Sequence, residues 1–217
     1  MSGRRRESLE RSRAKVDVRR SVLIVCEGEK TEYFYFRSFR AHENVRLISV
    51  DVVHTDSDPV SVVERAISRR GEAAERALKS RDANERIDEV WCVIDVDEHA
   101  GLEAALTLAA KNRINIAVSN PCFELWILLH VCDHRAYIKA HRAKKTCKSK
   151  VPKYDGSIPF LELWPYYPVA VERAKKLDNG KTIPNNPGTR VYILTERLRE
   201  LGRKRALARQ LRTTGRM

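Results

Sequence analysis

Three carboxylates, Glu27, Asp95 and Asp97, stand at the ends of two apolar runs and carry the donor chemistry of a hard divalent cation site. Glu27 closes the run Val22-Leu23-Ile24-Val25-Cys26, and Gly28 after it lets the backbone turn tightly or approach a phosphate. Asp95 closes Val90-Trp91-Cys92-Val93-Ile94. Asp97 lies two residues on, a spacing that points both side chains to one side of an extended strand. Oxygen ligands of this kind suit Mg²⁺ or Mn²⁺, usually with waters and substrate phosphates completing the shell. A D-x-D taken alone is short and common, and polar residues at strand ends need no cation. The pairing of an E-G with a D-x-D, both at strand ends, favours a shared metal site and phosphodiester chemistry.

Such residues must be positioned by a sheet. Apolar runs that end in acids read as buried parallel strands, and ligands bind at the carboxyl ends of such strands. The chain alternates strands over 22–26, 45–54, 90–94 and 114–118 with helices over 30–40, from Asp56-Ser57-Asp58-Pro59 through 80, and over 102–111. This order predicts an α/β fold with a mostly parallel sheet flanked by helices. Beyond it, Pro121 is placed to open a helix through 129, and Pro159 and Pro165 precede a helix ending near Asp178-Asn179-Gly180. A turn cluster at Asn185-Asn186-Pro187-Gly188-Thr189 leads to Val191-Tyr192-Ile193-Leu194 and a basic helix from Thr195.

The strings Val25-Cys26-Glu27-Gly28-Glu29-Lys30-Thr31-Glu32 and Ser119-Asn120-Pro121-Cys122-Phe123-Glu124-Leu125-Trp126, with the D-x-D between them, carry a family resemblance. An E-G after one strand and a D-x-D after a later one resembles the Toprim fold of topoisomerases, primases and OLD-type nucleases. The longer strings are similar to the RloB-like family, which is Toprim-related and associated with phage defence and restriction loci, often beside an AAA/ABC-type ATPase. The resemblance spans about residues 21–198. It implies a Mg²⁺- or Mn²⁺-dependent endonuclease acting on DNA, transfer RNA or other RNA, with an ATPase partner. Glu27 is then the Toprim glutamate, a general acid/base or metal ligand, and Asp95 and Asp97 are metal ligands. Glu124 is an added ligand, a residue orienting the site, or a buried structural carboxylate. Glu98, followed by His99, faces the metal or only starts the next helix, where acids are also favoured. His130, six residues from Glu124 and off its helical face, reads as a satisfied helix-end histidine.

A net charge of +13 sits mostly at the two ends: +5 in residues 1–20 and +7 in residues 197–217, leaving +1 between. Lys144, Lys145, Lys148, Lys150 and Lys153 add a basic stretch within 134–155, expected as a phosphate-gripping insertion. Lys30, close after Glu27, is the candidate for stabilising charge at a scissile phosphate. The expected organisation is a basic extension over 1–20, a catalytic domain over 21–198 and a basic tail over 199–217. Gly28-Glu29-Lys30-Thr31 lacks the glycine spacing of a P-loop, which excludes an ATPase. Five cysteines without paired C-x-x-C spacing argue against structural zinc, with Cys26 and Cys92 read as small core residues. No stretch approaches the roughly 20 apolar residues of a membrane span, and residues 1–20 lack the apolar core of a signal peptide, so a cytoplasmic location is expected. Two other readings stay open: an inactive Toprim-like nucleic-acid-binding module, and an ATPase-interacting subunit docked by its basic ends.

Overall fold

Strands covered on both faces have no polar side to show, which is why they read as unbroken apolar runs. The structure, a computed structural model, describes residues 21–28, 30–43, 48–52, 58–96, 101–155 and 158–214. In chain order the elements are β1 (Val22–Cys26), α1 (Thr31–His42), β2 (Ile48–Val52), α2 (Pro59–Ser80), β3 (Glu89–Asp95), α3 (Leu102–Lys111), β4 (Asn115–Asn120), α4 (Glu124–Val131), α5 (Ala140–Lys150), α6 (Phe160–Leu163), α7 (Tyr167–Leu177), β5 (Gly188–Thr189) and α8 (Val191–Thr214). The strand order is β2-β1-β3-β4-β5. The first four strands are parallel, and β5 adds a two-residue antiparallel edge in which Ser119 lies opposite Thr189.

Alternation along the strands sorts the core into two layers. Leu23, Val25, Cys92 and Ile94 face α2 and α3 through Val62, Val63, Ala66 and Ala105. Val22, Ile24, Cys26, Trp91 and Val93 face the other layer, made of α1, α4, α5, α7 and α8. From β1 the chain passes through α1 to β2 on one side, then through α2 to β3 on the other. The carboxyl ends of β1 and β3 therefore flank the point where the winding reverses, the place such folds use for ligands.

Local chemistry explains where elements begin. Asp58 caps α2, its carboxylate accepting from Val60 N–H at 2.8 Å and Ser61 N–H at 3.3 Å, with Pro59 in the first turn. The expected helix from Pro121 starts later: Pro121 follows the end of β4, and α4 begins at Glu124. Val191-Tyr192-Ile193-Leu194 is the first turn of α8 rather than a separate apolar run. Residues 134–155 hold α5, which the composition did not signal; it is anchored by buried Ala143 and Cys147, four apart on one face.

The α4 helix is buried from Glu124 through His130 and has no solvent face. Its last carbonyls are met by Arg173, whose Nη1 donates to Leu129 O at 2.7 Å and His130 O at 3.3 Å. His130 Nδ1 lies 3.0 Å from Trp126 O, and burial pulls the imidazole down to about 4, so the neutral ring donates there. This is the structural histidine expected from the sequence.

Part of the C-terminal charge is used internally. The Arg197 guanidinium grips Glu89 at 3.0–3.2 Å, and Glu89 also accepts from the Trp91 indole at 2.8 Å, tying α8 to the start of β3. Arg199 stacks over Tyr167 and Trp164 and reaches Glu43 at 3.3 Å. The segment 199–214 of the expected tail continues α8. The extension 1–20 lies outside the described residues. Among the described residues no helix is long and apolar enough to cross a membrane.

Leu128, fully buried in α4, and Leu78, 69% exposed on α2, form a natural contrast. Leu128→Ala is expected to cost about 2–5 kcal/mol and Leu78→Ala under about 0.5 kcal/mol, read from urea unfolding midpoints.

Candidate functional site

The register that closes the sheet brings the first two motifs together. Cys26 lies opposite Val93, so Glu27 and Asp95 emerge side by side from adjacent strand ends. Val96 N–H is held by Ser119 O at 2.8 Å, which fixes the exit of β3. The cis peptide before Pro121 follows β4, and α4 then starts at Glu124, a buried acid in the otherwise apolar face toward the sheet.

Four carboxylates interact here: Glu27, Glu32, Asp95 and Glu124. Burial raises the Asp95 carboxyl well above its usual range, repulsion from Glu32, Glu124 and Glu27 adds to this, and the N–H of Phe123 opposes it. Burial first, then Glu124 and Glu27, push Glu32 up to about 7. Asp95 Oδ1 is buried with no hydrogen-bond partner among the described residues. An orphaned carboxylate oxygen among like charges asks for a compensating cation.

Glu124 is held from behind. Tyr154 Oη donates to Glu124 Oε1 at 2.9 Å, which leaves Thr31 Oγ1, 3.2 Å away, as donor to the phenol. The thiol of Cys147 donates to Glu124 O at 3.3 Å and joins α5 to the start of α4. Gly28 has a sterically defined purpose: a Cβ there would lie 1.9 Å from Glu32 Oε2. The Glu32 carboxylate thus occupies the volume that a side chain at position 28 would take.

Of the residues expected from the sequence, Glu27, Asp95 and Glu124 come together in this cluster, while Asp97, Glu98 and His99 lie outside the described residues. Lys30 is exposed, immediately before α1. Lys144 stands close enough to Glu32 to counter its rise. Lys145, Lys148, Lys150 and Lys153 are exposed, with Lys153 3.4 Å from Glu162. Glu32, Thr31 and Tyr154 were missed. Glu32 closes the first motif string, but an acid in the first turn of a helix is ordinarily explained by the helix dipole.

Among the described residues no ready-made group of three or more His, Cys, Asp or Glu encloses a metal position. The donor chemistry nonetheless fits a hard divalent cation: all-oxygen ligands, several negative charges and a buried unpartnered Asp95 oxygen. A cleft of about 500 Å³ opens beside the acids, with Val96, Pro121 and Lys144 in its walls.

A family model described as RloB-like protein matches residues 22–198, from the first residue of β1 to buried Leu198 in α8. No curated protein and no solved structure matches the chain.

Two outcomes follow from the packing of Glu32. The unfolded carboxyl titrates near 4.5 and the folded one near 7, so between these values the folded chain keeps a proton that the unfolded chain loses. Stability from this group is greatest below pH ~4.5, falls as pH rises to ~7 and is level above, a loss of at most about 3 kcal/mol. In EDTA, Glu32→Gln is expected to flatten that slope and to stabilise the chain at pH 8, as measured by urea unfolding from pH 5 to 8; an unchanged slope contradicts the assignment. Gly28→Ala is expected to displace the Glu32 carboxylate and to cost about 1 kcal/mol, since only the far end of that side chain has to move. The cost should shrink in a Glu32→Ala background, a coupling read from a double-mutant cycle.

Proposed function

Because the chain belongs to the RloB-like family, we propose that it is a Toprim-type, Mg²⁺- or Mn²⁺-dependent endonuclease acting on DNA or RNA in antiviral defence, with a separate AAA/ABC-type ATPase as partner. The observation that carries this reading is Asp95: a half-buried residue whose buried Oδ1 has no partner among the described residues, set beside Glu27 and Glu124 at the reversal point of a parallel sheet.

In this reading Asp95, Asp97, Glu27 and Glu124 hold the cation. When bound, it neutralises phosphate charge and lowers the pKa of a coordinated water. The remaining work belongs to the chain. Tyr154, steadied by Thr31, fixes one oxygen of Glu124 and limits its rotation. Glu27, at the open end of β1 and half-buried, is placed to take or return a proton at the attacking or leaving oxygen. Lys144, beside the acids and exposed toward the cleft, supplies positive charge to a phosphate that the carboxylates alone would repel. Lys145, Lys148 and Lys150 extend that charge along α5, where a strand backbone can be followed without sequence preference. Cleavage and binding are thus carried by separate groups.

The test is cleavage of labelled DNA, total RNA and transfer RNA with Mg²⁺ or Mn²⁺, by the chain alone and in cells with its ATPase. Asp95→Asn is expected to lower the cleavage rate by about 100-fold or more while substrate affinity stays within about twofold. Retained cleavage in Glu27→Gln removes Glu27 from the mechanism. Binding without cleavage in every setting returns the chain to the inactive nucleic-acid-binding module.

A further inference from the structure

The cleft beside the acids has a wall that the cation site does not use. Tyr137, Lys139, His141 and Lys144 line it, together with Asn120 and Asn186. Tyr137 is 70% exposed and makes no hydrogen bond or ring contact with another described residue. Its backbone, by contrast, is pinned. The neighbouring Ile138 is buried, its N–H donates to Asn186 Oδ1 at 3.0 Å, and its carbonyl accepts from Asn186 Nδ2 at 2.9 Å. A large aromatic ring is therefore held out into a cationic cleft by a segment whose position is set from within the fold.

We propose that this cleft binds one unpaired nucleotide next to the phosphate presented to Asp95, with the base stacked on Tyr137 and the flanking phosphates met by Lys139 and Lys144. The position of the cut rests on the nuclease reading; the binding does not. A volume of about 500 Å³ accommodates a single nucleotide. A stacking platform with lysines on either side is the chemistry that grips single strands. In a duplex both faces of each base are already covered, and exposing one costs unstacking and unpairing. Of the two amides in the wall, Asn186 is engaged at both its oxygen and its nitrogen by Ile138, and Asn120 Nδ2 donates to Pro184 O at 2.9 Å. Recognition by stacking and charge follows, with little base preference. Arg135 takes no part, since it is paired with Asp133 at 2.7 Å.

The test uses the full chain in EDTA, so that no cleavage occurs, with fluorescein-labelled 12-nucleotide DNA and RNA offered as single strands and as blunt duplexes at one fixed low salt concentration. Fluorescence anisotropy is expected to show single strands bound about tenfold more tightly than duplexes of the same sequence. Tyr137→Ala should weaken single-strand binding by about 5- to 100-fold and leave duplex binding and the melting temperature unchanged, and Tyr137→Trp should restore it. Lys139→Ala should weaken both forms and reduce the salt dependence. The DNA and RNA arms identify which strand is preferred. Equal affinity for single strands and duplexes, no binding of any strand, or a silent Tyr137→Ala overturns the proposal. Loss of cleavage in Asp95→Asn bears only on the nuclease reading, because the binding assay runs without metal.

Discussion

Like charges gathered in a buried place set the terms for the rest of this molecule. Asp95 and Glu32 sit where burial and repulsion from neighbouring carboxylates both favour the proton, so holding them there costs free energy. Much of the surrounding structure answers that cost. The Phe123 N–H and Lys144 stabilise negative charge. Tyr154 and Thr31 fix Glu124, and Gly28 leaves room for Glu32. A core designed only for stability would place Leu or Val at such positions, since buried acids that lack a partner weaken a fold. Their gathering at the end of β3 and the start of α1 is what the proposed cation site accounts for.

The sheet was legible because fully buried strands leave a contiguous apolar signature and their ends carry the polar residues. β1, β3 and α3 fall where the pattern placed them, and Cys26 and Cys92 are buried as small core residues. What the sequence concealed depends on distant neighbours. Glu32 looks like an ordinary helix-start acid until Gly28 is found to leave space for it. Tyr154 is one tyrosine among seven until it meets Glu124, 30 residues away. The α5 helix was hidden because its apolar contribution is mainly Ala143 and Cys147 among lysines. Pro121 resembles a helix opener by composition, yet the chain needs three more residues to turn from β4 into α4.

Formal charge also proved a coarse guide to available charge. Arg197 and Arg199 belong to the basic C-terminal stretch, but they hold Glu89 and Glu43 and fasten α8 to the start of β3 and the end of α1. Lys204 pairs with Glu200 on the same helix. By contrast, Lys139, His141 and Lys144, from the basic stretch 134–155, are exposed and line one cleft. Placement, more than totals, decides which cations can meet a polyanion.

The bond from Thr31 to Tyr154 spans 123 residues, and Arg173 closes the end of the helix that carries Glu124. During synthesis the ribosome releases Glu27 and Asp95 long before these supports exist. A nascent or prematurely terminated chain that ends before α7 has the acids but lacks the tyrosine or the arginine that steady them. The acid cluster and its supports are thus complete only when the chain through Arg173 has emerged and folded.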